Sequence, residues 1–165
     1  MANVNAPYGL RPVKSSSGED RVNYYPLSSA SARVYEGDLL TLSSGSVIKA
    51  TTVSSVTLLG VAAANSGAIV TGGISSFAVY DDPSQIFSIQ AASAVAQSQV
   101  GVCYAFATAS ATAGTNLISI EALDIATQTA ACPLLLLGLV NAPDNATGNF
   151  ARCLVKINTH LLDAQ

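Results

Sequence analysis

The stretch Asp38-Leu39-Leu40-Thr41-Leu42, Ser43-Ser44-Gly45-Ser46, Val47-Ile48-Lys49-Ala50 reads as a β-hairpin, because two short apolar runs flank a small polar turn. Gly45 supplies the positive φ that such a turn commonly needs. From Arg21 onward the pattern recurs: segments rich in Val, Ile, Leu and Tyr are separated by Gly, Ser, Asn and Pro. This is the signature of an antiparallel β domain. Further strands are expected at Thr57 to Ala63, Ile74 to Tyr80, Ile86 to Gln90, Val100 to Ala107, Asn116 to Ala122, Leu134 to Val140 and Phe150 to Asn158. The fold class that follows is all-β, an antiparallel β-barrel or sandwich, with residues 21–165 forming a single β domain.

Alternation assigns faces to two of these strands. In Leu117-Ile118-Ser119-Ile120-Glu121-Ala122, Ile118, Ile120 and Ala122 share one face and Ser119 and Glu121 the other, which is expected to be wet. In the last strand Cys153, Val155 and Ile157 point to the core, opposite Arg152, Leu154 and Lys156, so the two cations are expected in solvent or at an interface. The Ala and Gln residues of Ala91 to Gln99 would suit a short helix, and Ala107 to Gly114 reads as a loop. Residues 1–20 read as an extended N-terminal arm: Pro7, Gly9 and Pro12 interrupt regular structure and Ser15 to Asp20 is polar. Its apolar anchors Tyr8, Leu10 and Val13 have two destinations, a neighbouring molecule or the chain's own domain.

Composition narrows the function classes. Charged residues make up 10% of the 165 positions and the net charge is −3, while mean hydropathy is +0.43; a typical soluble domain is about 25% charged. The seven cations stand singly along the chain, which leaves no basic patch to neutralise several phosphates, so no nucleic-acid partner is expected. The apolar stretch Pro133 to Val140 falls well short of the roughly 20 residues that a helical span needs, so no membrane association is expected. The first twelve residues have neither the charged start nor the apolar run of a secretory signal, and the cytoplasm is the expected place of synthesis. Cys103, Cys132 and Cys153 are odd in number and widely spaced, a pattern that suits buried reduced thiols better than a disulfide framework or a zinc site.

No chemical motif emerges. His160 is the single histidine and stands outside any metal-ligand spacing, and there is no Gly-x-Ser-x-Gly elbow or Gly-rich phosphate loop. Asp81-Asp82 is the one acidic pair next to a proline. On an extended chain its carboxylates diverge, which suits a turn better than paired acid–base work. No catalytic residue, metal or cofactor is expected.

Several segments together resemble the cement, or decoration, proteins of tailed-phage heads. They are Ala6-Pro7-Tyr8-Gly9-Leu10-Arg11-Pro12-Val13, the Gly37-Asp38 lead into the hairpin, Leu59-Gly60-Val61, Tyr80-Asp81-Asp82-Pro83-Ser84-Gln85-Ile86-Phe87-Ser88-Ile89-Gln90-Ala91, Leu137-Gly138-Leu139-Val140 with Pro143-Asp144-Asn145, and Ala151-Arg152-Cys153-Leu154-Val155-Lys156-Ile157-Asn158-Thr159-His160. The resemblance implies a mostly β, non-enzymatic subunit, commonly a homotrimer, on the outer surface of the virion. There it would bind the phage major capsid protein, after synthesis in the host bacterial cytoplasm. Aromatic and Arg residues are over-represented among interface anchors, so the expected partner-binding residues are Tyr8, Leu10 and Arg11 in the arm with Tyr24 and Tyr25. One of the two adjacent tyrosines is expected to be core. Two other readings compete: a virion adhesion protein that recognises host glycan through Ser93 to Gln99 or Asp144 to Asn149, and a tail or connector subunit.

Overall fold

The computed structural model describes residues 3–16, 18–29, 31, 33–51, 56–66, 74–107, 118–128 and 132–163. Among the described residues eleven strands form two sheets. β1 (Arg11–Lys14), β7 (Ile86–Gln90), β11 (Arg152–Ile157), β10 (Leu134–Leu139), β8 (Cys103–Ala107) and β9 (Ala122–Gln128) lie side by side, in that order, in a six-stranded antiparallel sheet. β2 (Val22–Leu27), β4 (Ser46–Lys49), β3 (Leu39–Ser43), β5 (Gly60–Ala62) and β6 (Ile74–Tyr80) close into a five-stranded barrel. A parallel junction between β2 and β4 closes the barrel where Leu27 meets Val47. The all-β expectation holds, with barrel and open sheet present together.

The hairpin sits at the centre of this plan. β3 and β4 pair Leu40 with Lys49 and Ser43 with Ser46, and both turn residues have positive φ, Ser44 at 50° and Gly45 at 78°. Leu39 and Leu40 are both fully buried, because adjacent strand residues point to opposite faces and here each face has a core. Leu40 packs inside the barrel with Leu27, Val34, Val47, Leu59, Ala62, Phe77 and Val79. Leu39 packs outside it, with Leu58 and Val61, against Phe87, Ile89, Tyr104, Phe106, Leu134 and Val155 of the open sheet. The doublets Leu58-Leu59 and Val61-Ala62 divide in the same way.

β6 and β7 fall where the sequence places them, and β10 and β11 within a residue or two. Other expectations are corrected. The strand at Thr57 to Ala63 shrinks to β5, with Leu58 making a separate bridge to His160. In Ala91 to Gln99 only Gln97–Gln99 forms a short 3-10 turn, because Ala91 and Val95 are drawn into the core by bridges to Leu123 and Gly148. Ala107 ends β8, and the rest of the loop expected to Gly114 lies outside the described residues. So do Asn116 and Leu117; the strand expected there begins instead at Ala122. Of the two destinations expected for the N-terminal segment, Arg11–Lys14 takes the chain's own domain as an edge strand, with Arg11 opposite Ser88 and Pro12 opposite Phe87.

The β5–β6 pairing leaves no room at Gly60, where an added Cβ would lie 2.0 Å from the Tyr80 carbonyl oxygen. Gly60→Ala is therefore expected to destabilise the fold by about 3 kcal/mol or more. Gly138→Ala, where nothing lies within 4 Å of the added carbon, is expected to stay within about 1 kcal/mol. Denaturant melts of the two variants check this; equal midpoints would show that the backbones are further apart.

Candidate functional site: the outer sheet face and the polar pins behind it

The inner face of the six-stranded sheet carries the core, so the residues between belong to its outer face. On adjacent strands Arg11 stands opposite Ser88 and Ser88 opposite Leu154, while Lys14 and Lys156 both pair with Ile86 and Leu135 with Lys156. Ile86, Leu135 and Leu154 are half-buried, Leu137 is 38% exposed, and Val13 is 50% exposed at the β1 irregularity. The result is a mixed face on which Ile86, Leu135 and Leu154 are interleaved with Arg11, Lys14, Arg152 and Lys156, four of the chain's seven cations; Lys156 itself stands between Ile86 and Leu135. Arg11 is ion-paired to Glu36 and Arg152 to Asp144; among the described residues Lys14 and Lys156 make no ion pair.

The N-terminal segment lies along one margin of this face. Asn3 Nδ2 donates to the carbonyls of Ala146 (3.0 Å) and Asn149 (2.9 Å). The buried Gln90 amide reads the extended backbone: its Nε2 donates to Val4 O at 2.8 Å and its Oε1 accepts from Ala6 N at 2.9 Å. Tyr8 is half-buried in contact with Ser88; burial raises its phenol pKa, against the Ser88 hydrogen bond and the Arg152 charge. A cavity of about 360 Å³ is left here, lined by Tyr8, Gln90, Asp144, Phe150 and Arg152 with Asn3, Val4 and Ala6 of the segment itself.

The structure separates the five expected partner residues. Tyr8 and Arg11 belong to the outer face. Leu10 is a correction: it is 1% exposed in the core between barrel and sheet, with its N–H bonded to Gly37 O, so it holds its own domain together and offers nothing to a partner. Of the adjacent tyrosines, Tyr24 is 68% exposed on the barrel and Tyr25 packs against the barrel core. Neither lies on the open sheet.

Tyr25 serves a buried anchor. The Asp81 carboxylate, fully buried, accepts from Tyr25 Oη (2.5 Å), Asn23 Nδ2 (2.8 Å) and Arg21 Nε (2.9 Å). Burial pushes this carboxyl up, but those hydrogen bonds and the Arg21 charge outweigh it and hold the group below the usual carboxylate range. Burial and Asp81 together push the Tyr25 phenol up to about 12. Asp82 does shape the turn, accepting from Ser84 N at 2.8 Å and from Ser15 Oγ, which ties the end of β1 to the β6–β7 connection. His160 is buried, accepts from Leu162 N through Nδ1 at 3.0 Å, and has its pKa lowered by burial.

A second buried charge cluster reverses one expectation. Ser119 and Glu121, expected on a wet face, are 1% and 0% exposed, while Ile118 and Ile120 are half-buried. Alternation was present, but the polar side turned inward because partners await it. Glu121 Oε2 accepts from Leu39 N at 2.9 Å, and Lys49 Nζ lies 2.8 Å from Asp38 Oδ2 and 3.6 Å from Glu121 Oε1. Burial and then the Asp38 charge push the Glu121 carboxyl up to about 8, against the opposing pull of Lys49 and the Leu39 N–H. Nothing in the sequence near residue 121 points to partners on β3 and β4. Comparison with protein-family models, with curated proteins and with solved structures finds no match to this chain.

Glu121 keeps its proton in the fold to about pH 8 and loses it near 4.5 when unfolded. The stability this group contributes is therefore full below pH 4.5 and is lost as pH rises towards 8. Glu121→Gln, which mimics the protonated acid, is expected to match the wild type near pH 5 and to melt several degrees higher near pH 8. Thermal melts across that range check it, and parallel curves would mean that Glu121 is ionised throughout.

Proposed function

We propose that this chain is a non-enzymatic cement protein of a tailed-phage head. It binds the outside of the assembled icosahedral shell through the outer face of its six-stranded sheet, bridging neighbouring major capsid proteins as a homotrimer. The observation that carries the reading is that face itself: half-buried Ile86, Leu135 and Leu154 with exposed Leu137, interleaved with cations of which Lys14 and Lys156 make no ion pair among the described residues. More than half of a specific protein interface is apolar area, with polar and charged groups set among it. The resemblance of the sequence segments to head cement proteins supports the same reading.

The mechanism is differential binding. A subunit that binds the assembled shell and not its separated parts stabilises the shell by mass action. Three identical faces on a trimer raise the local concentration for one another, so a modest single contact gives a long residence on a symmetric lattice. Cationic rims act chiefly on orientation and on the rate of encounter.

One observation favours the adhesion reading as the alternative. The cavity beside Tyr8 and Phe150 offers aromatic rings next to the planar polar groups of Gln90, Asp144 and Arg152, a combination suited to a sugar ring and its hydroxyls.

Sedimentation with undecorated, expanded phage shells tests the proposal. The wild-type chain is expected to co-sediment and to raise the temperature at which shells come apart. The double variant Lys14→Glu/Lys156→Glu is expected to keep its circular-dichroism melt while losing at least tenfold in affinity, about 1.4 kcal/mol. A truncation through residue 13 would not serve, since it removes Leu10 and most of β1. Failure of the wild type to bind shells, with binding on a glycan array or assembly into tubes, would transfer the chain to the adhesion or tail class.

A further inference from the structure

Cys103 opens β8, and Cys132 stands two residues before β10, the strand that pairs with β8 through Leu134–Tyr104 and Leu135–Cys103. That pairing brings together two thiols 29 residues apart in sequence. Cys103 Sγ donates to the Cys132 carbonyl at 3.5 Å, and the Cys132 thiol, which reaches Leu134 O at 3.8 Å, has the Cys103 thiol among the neighbours that raise its pKa. Cys103 is half-buried and Cys132 fully buried. The third thiol, Cys153, is equally buried on β11, where it donates to Ala151 O at 3.6 Å and has no thiol neighbour among the contacts that set its acidity.

We propose that Cys103 and Cys132 are a redox modification site, closed to an intramolecular disulfide by exchange with a small-molecule disulfide. The half-exposed Cys103 is the point of attack. Its thiolate attacks one sulfur of the small disulfide RSSR, giving a Cys103–S–SR mixed disulfide and releasing RS⁻. The Cys132 thiol gives its proton to solvent and attacks Cys103 Sγ, releasing the second RS⁻. In sum two protein thiols lose two electrons and two protons, and RSSR takes them up as two RSH. Burial and the neighbouring Cys103 push the Cys132 thiol up to about 12, so the second step is the slow one and quickens as pH rises. The bond closes the loop that contains β8 and β9 and fixes its base to the start of β10, which constrains the unfolded chain.

The two cysteines fall conveniently for detection. Trypsin cuts after Lys49, Arg152 and Lys156 but nowhere between 49 and 152, so Cys103 and Cys132 share one peptide and Cys153 lies alone in Cys153-Leu154-Val155-Lys156. The folded full chain is incubated with oxidised glutathione, quenched in acid, alkylated, digested and weighed. The expected result is a 50–152 peptide lighter by two hydrogens and carrying no alkyl group, with Cys153 alkylated and the change reversed by dithiothreitol. The oxidised chain is expected to melt higher by on the order of 5–10 °C. In Cys132→Ser, glutathione is expected to accumulate on Cys103, and in Cys103→Ser no adduct forms on the native protein. A lasting glutathione adduct on wild-type Cys103, a link to Cys153, a dimer joined through Cys103, or three thiols that react only after denaturation would each overturn the proposal. The wild-type measurement decides even if a variant fails to fold.

Discussion

Everything in this fold hangs on a wall that is buried on both sides. β3 and β5, with the segment before β5, separate the barrel interior from the core beneath the open sheet, and each contributes adjacent apolar residues to the two sides. A strand with one dry face tolerates a polar residue at every second position; a strand with two dry faces does not. That explains why Leu39-Leu40, Leu58-Leu59 and Val61-Ala62 occur as doublets. It also explains the close approach at Gly60, where β5 lies against the Tyr80 backbone. A chain of this length with so few charged residues can fill two cores because one set of strands serves both.

A wall without polar side chains would hold sheet and barrel together without fixing their register, since apolar burial has no direction. Two buried carboxylates supply direction. Glu121, just before β9, reaches the Leu39 amide and the neighbourhood of Lys49, so it joins the far edge of the open sheet to the hairpin. Asp81, at the end of β6, gathers Arg21, Asn23 and Tyr25 from the start of the barrel, and Asp82 beside it holds Ser15. The two sites satisfy their charge differently. Asp81 meets enough donors to remain ionised, while Glu121 shares one ammonium with Asp38 and keeps its proton. Breaking such a buried pair from one side leaves an uncompensated group, so a shift that separates Glu121 from Lys49, or Asp81 from its donors, is costly.

The parts of this plan that were legible in the sequence are local ones. The Ser44-Gly45 turn, β6 before Asp82-Pro83, and the alternation of Cys153, Val155 and Ile157 are each set by a few neighbouring residues. What was not legible depends on residues far away. Alternation in 118–121 separates two faces but does not say which is buried; Glu121 was assigned to water because its partners are on β3 and β4, 82 residues away for the Leu39 amide. Leu10 showed only that the N-terminal segment has an apolar anchor, and the anchor's own core claimed it. The contact between Cys103 and Cys132 needed the β8–β10 pairing, which no single sequence displays.

The proposed interface draws its character from the same architecture. Its side chains stand on β1, β7, β11 and β10, four neighbouring strands held by continuous backbone pairing and pressed from behind by the main core. A surface built this way has little backbone freedom left to lose when a partner covers it, so burial of Ile86, Leu135 and Leu154 would not be offset by loop ordering. The lysines among them carry the remaining side-chain entropy. Charge adds orientation. The whole chain is net negative, yet four of its seven cations stand on this face, two of them paired with Glu36 and Asp144. On the proposed reading Lys14 and Lys156 would orient this face towards an acidic partner, an effect that salt weakens.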